Sequence, residues 1–362
     1  MQLRELSLRP FRNFEKEDLS FSSAKTLIYA ENGKGKSNVL EAISYLSIGK
    51  SIRGAKDNQV IPHTGSYFDV RGVFLKESTK SRIRVFYGKQ EGKRVFLEDE
   101  ALSKVSDLVG VFRSVHFSPE DVSLVLRFPR QRRRLLDILL SQTSPIYIKD
   151  LQKYRRVLSQ RNKMLRNSKN RQNNSGVFEE IAPWDKQLAE LGASIRSCRL
   201  NAIKFMRVEF IDFYNRFSPE GEHASLNYNG STTKQIGLLK NELLAEINQK
   251  RSQEFRIGYT LVGPHRDDVS FEINGLPADD FASEGQLKSA LIAWKLAESR
   301  FIEKQCSHQP ILLLDDIFSE LDANRMDLLL ESISEFDQVI TTTPRDIGLE
   351  GLEAFERICF GQ

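Results

Sequence analysis

The sequence predicts an α/β fold: a mixed sheet with a phosphate-binding loop, the P-loop, and a long helical stretch in the middle of the chain. Three observations support this prediction. An apolar strand at residues 26–29 leads into a glycine-rich turn and then a helix. A second apolar strand, residues 311–314, ends in two carboxylates. From residue 119 to about 217 the hydrophobic period is helical.

Composition excludes several classes of protein. The 362 residues are 40% hydrophobic and 28% charged, which is typical of a globular chain and excludes collagen-like or wholly disordered proteins. No apolar run approaches the roughly 20 residues of a membrane-spanning helix, and the N-terminus has no apolar secretion signal, so we expect a cytoplasmic protein with no membrane contact. Cys198, Cys306 and Cys359 are too scattered to indicate a disulfide framework or a zinc site.

The N-terminal part of the chain reads mainly as strands. Apolar residues at 3, 6 and 8 predict a first strand, and residues 67–98 alternate in the manner of antiparallel strands. An amphipathic helix follows the glycine-rich turn, with its apolar face formed by Val39, Leu40, Ile43 and Leu46.

The middle of the chain predicts two helices that run antiparallel on either side of a polar turn at residues 167–176. Their apolar stripe suits a short coiled-coil hairpin and an ordinary bundle core about equally well. Beyond residue 255 we predict strands at residues 256–262 and 269–274. A helix at 286–304, the strand at 311–314, a helix at 320–335 and a strand at 338–343 complete the chain.

Charge is concentrated in one segment. The whole chain carries a formal charge of +4, but residues 127–171 hold 14 basic residues against 2 acidic ones, a net of +12. The other residues hold 39 basic against 47 acidic ones, a net of −8. Such a segment indicates contact with a polyanion such as DNA, although a solvated helical face is the simpler alternative. The candidate DNA-contacting residues are Arg130, Arg132, Arg133, Arg134, Arg155 and Arg156.

The glycine-rich turn has the pattern of a Walker A loop. Its backbone N–H groups and the following helix N-terminus can surround the β-phosphate of a nucleotide. Lys36 would reach the β- and γ-phosphates, and the Ser37 hydroxyl would ligate Mg²⁺. The pattern has glycine where this chain has Ala30. The candidate ATP-binding residues of the loop are Ala30, Glu31, Asn32, Gly33, Lys34, Gly35, Lys36 and Ser37.

The two carboxylates after the second strand have the pattern of a Walker B motif. Asp315 suits the outer-sphere hold on Mg²⁺, and Asp316 is placed to polarise the water that attacks the γ-phosphate. Taken alone, two aspartates after an apolar run could also be a helix cap. Their occurrence together with the glycine-rich loop favours the Walker B interpretation.

Two shorter motifs flank the Walker B strand. Ser283, Gly285 and Gln286 resemble the signature motif of ABC-type ATPases, in which a hydroxyl and a backbone N–H face the γ-phosphate held by another subunit. Residues 319–322 resemble the D-loop of the same class. A simple N-cap could explain either motif alone, but four motifs in this order are hard to attribute to chance.

The whole chain resembles the RecF family, bacterial recombination and DNA-repair ATPases related to the heads of SMC proteins. The resemblance rests on residues 11–14 (FRNF), 117–121 (FSPED), 263–268 (GPHRDD), 283–289 (SEGQLKS) and 312–322 (LLLDDIFSELD). It implies an ABC-type ATPase head, formed by residues 1–118 and 256–362, that carries an inserted helical lobe at residues 119–255. It also implies that Arg12 and Asn13 lie near the nucleotide and that Thr342 lies near the switch position of transporters.

The resemblance implies a function as well. ATP would close a homodimer on single-stranded or duplex DNA at gaps, and RecR and RecO would be the partners in gap repair, RecA loading, replication restart and SOS induction. Because Asp316 stands where many relatives have the longer glutamate, we expect slow hydrolysis: a weak, DNA-stimulated ATPase.

Three points stay open at this stage. A DNA-binding scaffold without meaningful hydrolysis is one alternative function. A transporter ATPase subunit is another, disfavoured because its signature should lie much closer to Lys36. The roles of His265, Arg266 and Asp267 are open too, since a structural His–Asp pair is as good an explanation as a functional one.

Overall fold

The computed structural model describes residues 1–76, 79–121, 128–168, 175–218, 221–231, 233, 235–344 and 352–359. Its strands are β1 (Gln2–Leu8), β2 (Glu17–Ser20), β3 (Lys25–Tyr29), β4 (Tyr67–Lys76), β5 (Thr79–Gly88), β6 (Gly92–Leu97), β7 (Glu100–Ala101), β8 (Ser114–Phe117), β9 (Ala224–Asn229), β10 (Asp268–Ile273), β11 (Leu276–Pro277), β12 (Ile311–Leu314), β13 (Val339–Thr343) and β14 (Glu356–Cys359).

Its α-helices are α1 (Lys36–Ile48), α2 (Asp57–Val60), α3 (Pro129–Thr143), α4 (Pro145–Ser168), α5 (Ser175–Phe217), α6 (Ile236–Ile257), α7 (Ala278–Phe281), α8 (Glu284–Cys306) and α9 (Ala323–Ser334). None of the helices in the described residues is both long and apolar enough to cross a bilayer.

Two sheets enclose the helix that follows the glycine-rich loop. One sheet is antiparallel in the order β2-β1-β4-β5-β6-β7, which confirms the antiparallel strands predicted for residues 67–98. The other is parallel in the order β14-β3-β13-β12-β8. Ile43 of α1 shares one hydrophobic core with Leu6 and Val70 of the first sheet and Leu313 and Ile340 of the second. Because this helix is buried on nearly all sides, its apolar residues extend well beyond the single predicted face.

The helices α4 and α5 run antiparallel, as predicted. Contacts ascend along α4 while they descend along α5: Arg199 Nε donates to the Tyr147 hydroxyl, Ser194 to Asp150, and Arg161 to Asp185. The predicted polar turn lies largely at residues 169–174, outside the described residues.

A second hydrophobic core joins the middle of the chain to the parallel sheet. Leu139 of α3 and Phe210 of α5 belong to the same core as Ala293 of α8 and Leu312 of β12. The strand β9, from the middle of the chain, pairs with β10, from its C-terminal part. The boundaries at residues 118/119 and 255/256 stay predictions, and extensive packing crosses them.

The strand predicted at residues 256–262 is wrong. The helix α6 continues to Ile257, and Gly258 ends it with a φ of 87°, its N–H donating to the carbonyl of Glu254. This left-handed conformation is one that glycine adopts without steric cost. The strand β9 and the helix α6 were not predicted. The other elements predicted beyond residue 255 lie within a few residues of their predicted positions, whereas β11, α7 and β14 were not predicted.

Candidate nucleotide-binding site

The glycine-rich loop connects β3 to α1 and contains the two glycines that its backbone requires. Gly33 and Gly35 have φ values of 83° and 103°, in the left-handed region that favours glycine. A Cβ atom on Gly35 would lie 2.6 Å from Oδ1 of Asn13, so a side chain there would have to displace Asn13. The loop therefore enters the helix in the conformation that a phosphate-binding turn needs.

Lys36 lies folded over the loop. Its Nζ donates to the carbonyls of Ala30 and Glu31, at 2.6 and 3.0 Å. Burial lowers the pKa of this amine, and the carboxylates of Asp316 and Asp315 oppose that effect. A lysine with three N–H donors in this position can exchange backbone carbonyls for phosphate oxygens.

The two Walker motifs meet at a single carboxylate. Oδ1 of Asp315 accepts hydrogen bonds from Ser37 Oγ at 2.8 Å and from Thr342 Oγ1 at 2.7 Å. The parallel pairing of β13 with β3 and β12 brings these side chains to one edge of the sheet. The structure thus places the predicted Mg²⁺ ligand Ser37 against the predicted Walker B residue.

A hydroxyl beside a carboxylate is a donor set that fits Mg²⁺. This ion prefers hard oxygen ligands and is commonly held by one or two carboxylates together with substrate phosphates. The described residues contain no cluster of three or more His, Cys, Asp or Glu side chains able to hold a metal ion by themselves. Ser37 and Asp315 are therefore suited to a Mg²⁺ ion that arrives with a nucleotide.

Asp316 has a left-handed backbone, with a φ of 47°. Its N–H donates to Thr342 Oγ1 at 3.0 Å, and its carboxylate accepts the hydroxyl of Ser319 at 2.6 Å. Non-glycine residues adopt this conformation only when neighbouring groups hold them there. Thr342 therefore fixes both Walker B aspartates, a role that sequence patterns do not show.

Arg12 and Asn13 lie beside the loop. Asn13 donates to the carbonyl of Lys34 at 3.0 Å and accepts from Asn38 at 2.8 Å. The guanidinium of Arg12 forms a bidentate pair with Glu41 of α1, at 2.7 and 2.8 Å. Arg12, Asn13 and Asn38 line a cleft of about 820 Å³, a volume in the range of small-molecule sites.

Glu41 is a residue that the sequence analysis missed. It is completely buried in α1 and accepts hydrogen bonds from Arg12 and from the hydroxyl of Ser51. An acidic residue in an otherwise apolar stretch of a buried helix was the available signal, because a buried charge needs a partner.

The signature residues cap a helix and lie near the surface. The Ser283 hydroxyl accepts the N–H of Gln286 at 3.3 Å, and the Gln286 side chain accepts the N–H of Ser283 at 2.8 Å. These two hydrogen bonds form a capping box at the start of α8. The alternative interpretation of these residues as an N-cap is therefore confirmed. Ser283 is exposed, and Gly285 lies against the guanidinium of Arg325.

The described residues show no hydrogen bond between the signature residues 283–286 and the glycine-rich loop. In the D-loop, Ser319 donates to Asp316, and Asp322 caps α9 by accepting the N–H of Arg325 at 3.0 Å.

Much of the basic segment is used inside the fold. Arg132 is only 2% exposed and pairs with Asp268 at 2.6 Å and with Asp279 at 3.0 Å, so its predicted contact with DNA is wrong. Arg161 is fully buried between Asp185 and Glu254.

The other predicted arginines differ in exposure. Arg133 and Arg134 are partly buried and donate to backbone carbonyls. Arg130, Arg155 and Arg156 are exposed, and Arg155 also pairs with Asp137 at 3.1 Å.

The alternative of a structural pair between His265 and Asp267 finds no hydrogen bond to support it among the described residues. Nδ1 of His265 accepts the hydroxyl of Tyr154 at 2.7 Å, and its Nε2 donates to the carbonyl of Thr260 at 3.2 Å. Burial lowers the pKa of His265 to about 4, which keeps the ring neutral. Asp267 is buried and pairs with Arg196 at 2.9 Å. Arg266 is exposed.

Comparisons with known proteins agree with this geometry. The family described as the RecF/RecN/SMC N terminal domain matches residues 2–362. A DNA replication and repair protein RecF from Acetivibrio thermocellus is 34% identical over 96% of this chain and 94% of its own length. The RecF of Chloroherpeton thalassium is 37% identical over 95% of both.

A solved structure described as the recombination mediator protein RecF-ATP in the RecFOR pathway superimposes with a TM-score of 0.88 at 32% identity. The match covers 96% of this chain and 93% of the solved one.

Proposed function

The chain belongs to the RecF family of DNA replication and repair proteins, and from this premise we propose that it binds ATP and Mg²⁺ and closes as a homodimer on DNA. The observation that carries the proposal is the meeting of Ser37, Asp315 and Thr342 at one point. Two motifs separated by 278 positions converge there on an oxygen-rich site at the end of a P-loop. The solved RecF with ATP supports the same ligand for this chain.

Each residue of the loop has a task in nucleotide binding. The backbone N–H groups of residues 32–35 and the N-terminus of α1 would bind the β-phosphate, and Lys36 would neutralise charge between the β- and γ-phosphates. Ser37 and Asp315 would hold Mg²⁺, which supplies charge neutralisation at the phosphates when it is bound. Asn13, fixed on the loop backbone, lines the adjoining cleft where the nucleoside would lie.

Hydrolysis in this proposal is slow. Asp316 is the carboxylate placed to polarise the attacking water, and the hydroxyl of Ser319 occupies one of its oxygens. Its side chain is one methylene shorter than glutamate, so it reaches less far toward the γ-phosphate. We expect turnover well below about 1 per second, the low end of typical enzyme rates, with stimulation by DNA.

The alternative of a scaffold without hydrolysis makes a different prediction for Asp316→Asn. In a hydrolytic switch this variant stays closed on DNA after ATP is added, whereas the wild type releases DNA with time. In a scaffold the two proteins release DNA at the same rate. Family membership sets the transporter alternative aside.

Dimerisation would complete the site. Ser283 is exposed at the N-terminus of α8, where its hydroxyl and the helix dipole can meet a γ-phosphate held by a second copy of the chain. Gly285 and Gln286 would line the same contact. We propose RecR and RecO as partners at DNA gaps, in support of RecA loading, replication restart and SOS induction, by analogy with the RecFOR pathway of the solved relative.

The decisive experiment is the monomer–dimer equilibrium, measured by analytical ultracentrifugation with ATP, ADP or no nucleotide, with and without duplex DNA. Wild type should dimerise with ATP alone among the three nucleotide states. Ser283→Arg should prevent dimerisation while it leaves ATP binding to the P-loop intact. Ser252→Arg, an exposed serine of α6, is the matched control and should behave as wild type. A wild type that stays monomeric with ATP contradicts the proposal.

A further inference from the structure

A concave surface at the C-terminal end of α1 is rich in cationic side chains. This basic groove has a volume of about 500 Å³ and lies between the residues that follow α1, the helices α3 and α4, and the turn that carries residues 263–268. Its cationic lining residues are Lys50, Arg130, Arg133, Arg134, Arg155 and Arg199. It is separate from the cleft beside the glycine-rich loop, with which it shares no lining residue.

The positive charge of the basic groove is compensated only in part. Among the described residues that line it, Asp137 is the single acidic one. One of its oxygens accepts from Arg199 at 2.8 Å and from the Tyr147 hydroxyl at 2.6 Å, and the other accepts from Arg155 at 3.1 Å. Six cations against one carboxylate leave a net charge of about +5 in this space, a potential that attracts anions.

Lys50 has no hydrogen bond or ion pair in the part of the chain that the structure describes. Its side chain keeps contact with solvent although protein atoms crowd it. That crowding lowers the pKa of the amine, and the neighbouring cations Arg134 and Arg155 lower it further. An ammonium group among guanidinium groups gains most from a bound anion, because the anion removes the repulsion between them.

The arginines are held in place by bonds that leave donors to spare. Arg134 donates to the carbonyls of Ser51 and Ile52, and Arg133 donates to the carbonyl of Asp267. Each guanidinium has five N–H donors, so these contacts fix the group without exhausting it. Such preorganised guanidinium groups are well suited to phosphate oxygens.

Among the described residues, the uncharged part of the lining has no hydrogen-bond donor left free for base edges. His265 is neutral, and both of its ring nitrogens are engaged, by Tyr154 and by the carbonyl of Thr260. Leu151, Leu158 and Pro264 add only apolar surface. Contacts to phosphate without contacts to base edges give binding that does not depend on sequence.

We infer that the basic groove binds the phosphodiester backbone of a nucleic acid, with Lys50 and Arg155 among its contacts, in a manner independent of sequence. This inference rests on the proposed function and locates its DNA contact. It also gives the turn at residues 263–268 a role: Pro264 and His265 form one wall of the groove. Exposed Arg156, next to Arg155 in α4, extends positive charge beyond the groove, as a backbone longer than one phosphate requires.

The test is the affinity of the full chain for a fluorescein-labelled 30-base-pair duplex of mixed sequence, measured by anisotropy with ATP across a salt series. Lys50→Ala and the double variant with Arg155→Ala are compared with Lys204→Ala, an exposed lysine of α5 outside the groove. Each lost phosphate contact should lower the slope of log K against log salt by about 0.9, which is about eightfold in affinity at 0.1 M salt. The double variant should therefore bind roughly 60-fold more weakly.

A charge-conserving variant and a second probe complete the test. Lys50→Arg should retain most of the affinity, and two duplexes of unrelated sequence should give equal losses. A double variant with the affinity and slope of Lys204→Ala overturns the inference. If inorganic tripolyphosphate binds in a Lys50-dependent way while duplex affinity is unchanged, the groove takes a free polyphosphate and the inference is again overturned.

Dimerisation measured on the same samples separates this inference from the proposed function. ATP-dependent dimers and DNA binding that survive loss of the groove cations leave the proposed function standing and refute the groove alone. A wild type that binds no duplex in any nucleotide state refutes both the proposed DNA contact and its location here.

Discussion

Replacement of Thr342 by valine tests whether one hydroxyl holds the Walker B aspartates. This buried hydroxyl donates to Oδ1 of Asp315 and accepts the N–H of Asp316. A hydrogen bond to a charged group contributes about 1.5–3 kcal/mol, and a buried N–H left without a partner costs about 1–3 kcal/mol. The added methyl group returns roughly 0.8 kcal/mol. Thr342→Val should therefore destabilise the fold by about 2–5 kcal/mol.

The adjacent strand position provides a matched control. Thr341 is equally buried, and its hydroxyl has no hydrogen-bond partner among the described residues, so Thr341→Val should be neutral or stabilising. Thr342→Ser keeps the hydroxyl and should recover most of the stability. Thermal unfolding followed by circular dichroism gives the stabilities, and the Mg²⁺ concentration required for binding of a fluorescent ATP analogue should rise in Thr342→Val alone. Equal melting temperatures and equal Mg²⁺ dependence for the two valine variants would refute the role of Thr342.

Two further predictions concern buried charge in the helical part of the chain. The folded pKa of His265, about 4, lies below the ordinary value of 6.5, so the unfolded chain takes up a proton that the folded chain refuses as pH falls between these values. Stability should drop by about 3 kcal/mol over this range, and urea unfolding at several pH values should show a smaller drop in His265→Gln. Arg161→Met should cost about 3–5 kcal/mol, because Asp185 and Glu254 lose a buried partner; in the same assay Arg156→Met, at an exposed position, should change little.

The nucleotide site could be predicted from local sequence patterns. A P-loop depends on the order of a strand, a few glycines and a helix, all within about 25 residues, and each step has a direct steric or electrostatic cause. The convergence of Ser37 on Asp315 followed from a general property of parallel sheets, whose carboxyl ends share one edge. The bond from Thr342 to both aspartates could not be predicted, because it depends on the register of β13 against β12.

The net charge of residues 127–171 does not show that some of their arginines form ion pairs with distant acidic residues. Arg132 and its partner Asp268 are 136 positions apart, so the sequence shows a basic cluster and a distant acid without any sign that they meet. Arg161 and its partner Glu254 are likewise far apart in the sequence. A buried guanidinium needs a carboxylate close by. For Arg132 and for Arg161, these carboxylates come from the acidic remainder of the chain. The segment from residue 127 to 171 therefore divides its arginines between holding the fold and facing the groove.

The failed strand at residues 256–262 has a comparable cause. Alternating apolar and polar residues there satisfy the period of a strand, but they follow a helix that has already formed and that ends only where Gly258 allows a left-handed turn. Leu261 donates its N–H to the buried Glu254, and Thr260 donates to Asn162, which hold this stretch against the helices. Tertiary contacts thus decide a segment whose local pattern is ambiguous.

The helix α1 runs from the glycine-rich loop to the basic groove. It begins in the glycine-rich loop at Lys36, spans about 20 Å, and ends just before Lys50 in the basic groove. At its middle, buried Glu41 accepts from Arg12 on the nucleotide side and from Ser51, whose carbonyl in turn accepts from Arg134 of the groove. Because α1 is packed between two sheets, it cannot bend independently of them. Glu41 and its partners therefore form a chain of hydrogen bonds from Arg12, beside the glycine-rich loop, to Arg134 in the basic groove.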